Sequence, residues 1–157
     1  QEQQREQEQA LLHYKIASDA YPDSFRILFR RSIVTMNLLQ EEESIRIHQK
    51  MIELRPEHAL SLNNLAWMYL TAKDRSLRQP EKALELALKS VELEATIDHI
   101  DTLAEAYFQT VKTAKAIETL RKGFREVSYP KSRERYLEGQ YRRFRKGDTS
   151  VSPPPVS

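Results

Sequence analysis

The sequence predicts an all-α solenoid built from antiparallel helix pairs, and three observations lead to that fold class. Pro22 and Pro56 lie 34 residues apart. The motif Leu-Ala-x-x-Tyr at 65–69 recurs at 103–107. Glycine is scarce, with three among the 157 residues. The sequence therefore has too few glycines for the tight turns of a β-sheet protein or for a phosphate-binding loop. A repeat of this length, built on small, aromatic and Leu positions, is typical of stacked helix–turn–helix units.

The two best repeats resemble the tetratricopeptide family, whose 34-residue unit pairs a helix A with a helix B. The matching positions of 59–95 are Leu62, Leu65, Ala66 and Tyr69 in helix A and Ala83, Ala87 and Ser90 in helix B. Those of 97–128 are Ile100, Leu103, Ala104 and Tyr107, then Ala116, Leu120 and Gly123. The resemblance implies a right-handed α-solenoid of about eight helices, because one repeat cannot bury its own apolar face.

In chain order, the resemblance divides the sequence into a half-repeat (1–22), three repeats (23–56, 57–95, 96–130) and a capping helix (131–146). Ala10, Tyr14, Ala17 and Pro22 match helix B of a repeat whose helix A is absent. The first full repeat is degenerate: Arg31, Thr35 and His48 replace its Leu, Tyr and aromatic residues. The second carries five extra residues in its A–B turn, within 72–79, and Pro80 is expected at the start of helix B.

The C-terminal part divides into a helix and a tail. Leu137, Tyr141 and Phe144 form one apolar stripe, which predicts a helix closing the array. Residues 147–157, with three consecutive prolines, are predicted to be a disordered tail. From Lys131 onward there are seven basic and three acidic residues, a charge of +4 that leaves −2 for 1–130. Helix 131–146 therefore either caps the solenoid or, as an alternative, binds nucleic acid or an anionic membrane.

Composition excludes several classes of site. Without cysteine the chain has no disulfide, thiolate nucleophile or zinc-thiolate centre. No apolar run approaches the roughly 20 residues that span a bilayer. The chain begins at Gln1, so we expect a fragment or processed form of a soluble protein, cytoplasmic or periplasmic.

No catalytic or cofactor constellation is evident, so we expect a protein that is not an enzyme and binds no cofactor. The four histidines lack metal-ligand spacing, and His48 is expected to pack in the interior. Asp98, His99 and Asp101 could serve a metal or acid–base site, but carboxylates at a helix start more often offset its dipole. Glu41, Glu42 and Glu43 are expected to solvate a surface at the next helix start.

The resemblance implies a binding groove on the concave face, lined by helix A. The positions carried over are Arg26, Phe29, Ile33, Met36, Leu60, Asn63, Asn64, Trp67, Leu70, Asp98, Asp101, Glu105 and Phe108. This set is apolar at one end and acidic at the other, so the expected partner is an apolar or basic peptide or helix of another protein. Trp67 either anchors that partner or packs between helices. The alternative function is a structural subunit that self-associates through residues 1–20.

Three local expectations follow from departures from the family pattern. Val111 replaces a turn glycine and is expected to keep negative φ, since a β-branched residue is strained at positive φ. Gly123 is expected to leave room for helix 131–146 to cross. The half-repeat is expected to leave Leu11, Leu12, Tyr14 or Ile16 partly uncovered.

Overall fold

The computed structural model describes residues 1–150, which form eight α-helices and one 3-10 helix. The helices are α1 (Glu2–Ala20), α2 (Phe25–Asn37), α3 (Glu41–Leu54), α4 (Ala59–Thr71), the 3-10 helix (Arg75–Leu77), α5 (Pro80–Leu93), α6 (Ile97–Gln109), α7 (Thr113–Glu126) and α8 (Lys131–Lys146). No strand occurs in that span, and the all-α prediction is confirmed. Most of the predicted proline-rich tail, 151–157, lies outside the described residues.

Helices pack against their neighbours in chain order, which makes the molecule a solenoid. Each of α1 to α7 contacts the helix that follows it, and α4 also contacts α6. The central core lies between α4, α5 and α6, around Ala66, Tyr69, Ala83 and Leu103. Small residues let these helices approach closely: Ala66, Ala83 and Ala87 are fully buried.

The first helix of each pair begins at a side-chain cap. Ser24, His58 and Thr96 hold the same place in their repeats, and each accepts a hydrogen bond from a backbone N–H three residues on. His58 accepts through Nδ1 from the Ser61 amide at 3.2 Å, so this nitrogen carries no proton. Burial and the nearby Arg55 charge both lower the pKa of His58, which favours the capping form.

The degenerate repeat is held by polar contacts where other repeats use apolar ones. Arg31, at the Leu position, donates to Ser18 Oγ at 2.7 Å and forms an ion pair with Glu43. His48 is 1% exposed and donates Nδ1–H to the Ser44 carbonyl at 2.8 Å, so its predicted interior packing is confirmed. The departures from the family pattern are therefore compensated by specific bonds.

The extra residues between α4 and α5 are tied back to the solenoid. Glu41 accepts hydrogen bonds from the amides of Lys73 at 2.8 Å and Asp74 at 3.3 Å. Arg78 Nε donates to the Ala72 carbonyl at 2.7 Å. Glu41 thus anchors the insertion besides lying at a helix start. Pro80 begins α5, as predicted.

The expectation for Val111 was wrong. Its φ is +60°, and that of Leu39 at the same repeat position is +55°. After α6, the amide of Val111 donates to the Phe108 carbonyl at 3.1 Å, and that of Lys112 donates to Tyr107 at 2.8 Å. This bond pair satisfies the last carbonyls of the helix only if the intervening residue is left-handed. The turn imposes its conformation on whichever residue is present.

Replacing Val111 with glycine is therefore expected to stabilise the protein by about 1 kcal/mol, because glycine adopts positive φ without the Cβ penalty. Val111 is 89% exposed, so little packing is lost. Lys73→Gly is the matched control: it has the same repeat position without positive φ, and should be neutral or destabilising. Chemical denaturation measures both. A Val111→Gly protein no more stable than wild type would contradict the strain argument.

The reason inferred for Gly123 was also wrong. A Cβ built on Gly123 would lie 2.8 Å from Ile100 Cγ2 and 3.3 Å from Ile97 Cδ1. Both isoleucines belong to α6, so the close approach that excludes a side chain is made by the partner helix of the same repeat. The carbon at 2.8 Å is attached to Ile100 Cβ and cannot move away without a χ1 change.

Part of the face of α1 is uncovered, as the half-repeat pattern predicted. Leu12 and Ile16, one turn apart, are 59% and 60% exposed. Tyr14 is half-buried and Leu11 is buried. The uncovered stripe is thus Leu12 and Ile16, on the side of α1 that does not face α2.

Candidate partner-binding groove

A groove runs along the concave face between the first helices of the pairs. Seven of the predicted residues line it: Met36, Leu60, Asn63, Asn64, Trp67, Asp98 and Asp101. Its volume is about 710 Å³, large enough to hold several side chains of a peptide. Six lining residues were not predicted to lie in the groove, among them the exposed carboxylate of Glu94: Asn37, Glu94, Thr96, His99, Thr102 and Arg133.

The α2–α4 part of the groove is apolar and open. Leu60 is 41% exposed, and Ile33, on the same side of α2, is 40% exposed. Met36 and Trp67 are half-buried and present the rest of their surface to the groove. Exposed apolar side chains grouped on a concave surface are typical of a protein-binding site.

Two adjacent amide side chains stand beside this apolar surface. Asn63 is 8% exposed, and its Oδ1 atom is buried without a hydrogen-bond partner among the described residues. Asn64 is half-buried in the same wall. A buried acceptor without a donor lowers stability by about 1–3 kcal/mol.

Three predicted groove residues lie elsewhere. Leu70 is fully buried in the central core, because its side of α4 faces the neighbouring helices. Phe29 is half-buried and packs edge-on against the His58 ring, with centroids 6.1 Å apart. Arg26 is exposed but does not line the groove. These positions are therefore structural or peripheral in this chain.

The acidic end of the predicted groove is covered by α8. Asp101 is 4% exposed and accepts hydrogen bonds from Tyr136 Oη at 3.0 Å and Gln140 Nε2 at 3.1 Å. At its margin Asp98, with 56% of its side chain exposed, faces Arg133 Nε at 3.5 Å. The expectation that Asp101 is an accessible charge was wrong, since the chain's own helix binds it.

Glu105 and Phe108 are covered in the same way. Glu105 is fully buried, forms an ion pair with Arg143 and accepts from Gln109 Nε2 at 2.8 Å. The Phe108 ring packs on Phe144 with centroids 4.8 Å apart. A helix that is apolar and basic thus occupies the place where the sequence predicted an apolar and basic ligand.

Burial governs the electrostatics of this covered end. Desolvation raises the pKa of Asp101 to about 6, although hydrogen bonds from Gln140 and Tyr136 oppose the shift. The pKa of Tyr136 is raised by burial and by the Asp101 charge. Burial lowers the pKa of Arg143, with nearby carboxylates acting against it. These shifts belong to a packed interface between α6 and α8.

A metal or acid–base role for Asp98, His99 and Asp101 finds no support in the geometry. His99 donates Nδ1–H to the Glu94 carbonyl at 2.7 Å. Within residues 1–150, no group of three or more His, Asp or Glu side chains is placed to hold a metal ion.

One sequence signal could have revealed the covering helix. Arg133, Tyr136, Gln140 and Arg143 follow one another at helical spacing, next to the apolar stripe. Polar and apolar stripes side by side predict a helix that contacts both an acidic and an apolar surface. The apolar stripe by itself predicts only a helix that closes the array.

Comparison with solved structures identifies the fold as that of MamA, a tetratricopeptide-repeat protein. A MamA double mutant (MamA RS-1 ArsTM) matches at TM-score 0.71 and 21% identity, over 91% of this chain and 77% of that one. Two other MamA crystal structures match at TM-score 0.67. The first is 16% identical and covers 87% of this chain and 83% of the MamA chain. The second is 17% identical and covers 93% of this chain and 81% of the MamA chain. No protein-family profile and no curated protein matches the sequence.

No helix among residues 1–150 is both long enough and apolar enough to cross a membrane.

Proposed function

We propose that this chain is an interaction scaffold that binds an apolar segment of a partner protein in the groove between α2, α4 and α6. The observation that carries the proposal is the open apolar surface of Ile33, Met36, Leu60 and Trp67 on the concave face. A tetratricopeptide solenoid offers its concave side as an extended binding surface. Trp67 has the largest side chain on this surface and is the proposed anchor.

The chemistry of the partner differs from the one inferred from sequence. A basic end required Asp98, Asp101 and Glu105 as free carboxylates. Arg143 pairs with Glu105, Arg133 lies against Asp98, and Asp101 is buried. The partner segment is therefore mainly apolar, with polar groups that hydrogen-bond to the half-buried Asn64.

Trp67→Ala is expected to weaken partner binding by about 2 kcal/mol while the fold is kept, because an aromatic anchor in a pocket carries much of the binding free energy. Leu88→Ala, at a 44% exposed leucine of α5, is the matched control. The three proteins are used as bait, captured proteins are quantified by mass spectrometry, and a captured partner is then titrated calorimetrically. Equal capture of partners by wild type, Trp67→Ala and Leu88→Ala would contradict binding in the groove.

A second candidate is assembly through α1, favoured by the exposed Leu12 and Ile16. A helix of another copy that covers this stripe would complete the half-repeat. Leu12→Glu with Ile16→Glu is then expected to abolish self-association in analytical ultracentrifugation, whereas Leu88→Glu with Leu93→Glu on α5 should not. A wild-type protein that stays monomeric at high concentration would exclude this candidate.

A further inference from the structure

The outer side of α8 carries a basic strip that the cap does not use. Arg135, Arg142 and Lys146 are exposed, and their spacing from Gly139 places all four on one side of the helix. Together they border a concavity of about 500 Å³. The side of α8 that packs on the solenoid, through Leu137, Tyr141 and Phe144, is a different one.

These three cations have no carboxylate within ion-pair distance in the part of the chain that the structure describes. Exposed cations of the neighbouring α7 do pair: Lys122 with Glu126 and Arg125 with Glu118. Arg142 and Lys146 are also one turn apart, where like charges repel. The strip therefore keeps a positive charge that ion pairs leave in place; Asp148, which lines the same concavity, offsets part of it at longer range.

Gly139 lies in the middle of this strip and opens it. A Cβ built there would meet no atom within 4 Å, so no packing within the protein requires a glycine. Glycine in a helix interior is unfavourable, because it has more backbone freedom to lose. The missing side chain instead lets another molecule reach the backbone of α8 between the flanking cations. An unfavourable glycine and unpaired like charges at one place mark a surface with a use beyond folding.

We propose that this strip is a docking surface for an acidic peptide segment of a partner protein. Carboxylates of that segment pair with Arg135, Arg142 and Lys146, and its chain lies over Gly139. The surface shares none of the residues that carry the groove proposal, so each stands without the other.

Two observations favour a protein segment over nucleic acid. Three free cations spread along about 16 Å of helix are fewer than the roughly 6–10 phosphate contacts of a typical DNA-binding site. Glu134, Glu138 and Asp148 lie close by in sequence, and residues 1–130 carry a net negative charge, both of which repel a polyanion. A short acidic peptide carries fewer charges than a nucleic acid and needs only the three cations, so it meets less of this repulsion, although Asp148 lines the same concavity.

The test measures binding of a fluorescein-labelled peptide to the whole chain by fluorescence anisotropy, at about 0.05 and 0.15 M salt. The peptide has about eight residues and is rich in Asp and Glu. The control peptide has Asn and Gln in their place. We expect the acidic peptide to bind at least about tenfold more tightly than its neutral counterpart, with weaker binding at the higher salt. Arg135→Gln, Arg142→Gln and Lys146→Gln together should abolish that preference. Gly139→Leu should weaken binding several-fold at unchanged charge.

The matched control removes the same charge from α7, with Lys115→Gln, Lys122→Gln and Arg125→Gln, and should retain binding; Trp67→Ala should retain it as well. Circular dichroism melting confirms that each variant is folded. Equal loss in the α7 control would overturn the proposal, because net charge would then suffice. Full binding by Gly139→Leu, or tighter binding of a single-stranded oligonucleotide than of the peptide, would overturn it too.

Discussion

Replacing Arg143 with methionine is expected to lower the free energy of unfolding by about 3–5 kcal/mol, because it leaves a buried carboxylate without its cation. Glu105 is fully buried, and Arg143 has only 10% of its side chain exposed. Arg143 also donates Nε–H to Gln140 Oε1 at 3.0 Å, and Gln140 in turn bonds to Asp101. Loss of the guanidinium therefore disturbs the whole polar contact between α6 and α8.

Urea denaturation of two further variants separates charge from packing. Arg142→Met removes the exposed arginine next along the helix and should change stability by less than about 0.5 kcal/mol. Adding Glu105→Gln to Arg143→Met removes the stranded charge and should recover more than half of the loss. A double variant as unstable as Arg143→Met alone would mean that lost packing on Phe108, not the unpaired charge, causes the effect.

Asp101→Asn is expected to stabilise the protein relative to wild type by about 3 kcal/mol at pH 7, with the advantage disappearing in acid. Burial raises the pKa of Asp101 from 3.8 to about 6. A raised pKa means that the folded state binds the proton more tightly than the unfolded chain. In the wild type, the stability that comes from the proton on Asp101 is therefore fully present below about pH 4 and is lost as the pH rises through about 6.

The measurement is the difference in unfolding free energy between Asp101→Asn and wild type from pH 4 to pH 7. Taking the difference cancels His48 and His58, whose lowered pKa values act in the opposite direction and reduce stability as pH falls below about 6.5. Tyr136→Phe removes a hydrogen bond that favours the ionised carboxylate of Asp101. In a protein that carries Tyr136→Phe, the pH-dependent part of the difference should therefore extend above pH 6. A difference that is constant with pH would contradict the raised pKa of Asp101.

Local patterns in the sequence predicted most of the helical scaffold. Helix propensity, the 34-residue spacing and the small residues at helix crossings all act between residues close in the chain, as in a solenoid whose helices contact their neighbours. For the same reason His48 could be placed in the interior, and Pro80 at the start of a helix, from repeat position alone.

The sequence was less informative about the groove. The α2–α4 part could be found, because Leu60, Asn63 and Trp67 project from one helix at fixed spacing. The state of Asp101, Glu105 and Phe108 could not, because it depends on Tyr136, Gln140 and Arg143, which lie 35 to 39 residues further on. The position of a residue in the repeat predicts that its side chain faces the concave side. It does not predict whether a distant part of the chain packs over that side chain.

By itself, the sequence determined an all-α solenoid, its helix order and an apolar surface around Trp67, since these depend on periodicity within a repeat. Only the tertiary structure decided which face of α8 meets α6, and hence that the carboxylates predicted for a ligand are already bound. It also decided that Val111 is left-handed and that Gly123 makes room for Ile100. The physical reason is that desolvation, ion pairing and steric fit depend on the full set of neighbours in space, which a repeat pattern does not contain.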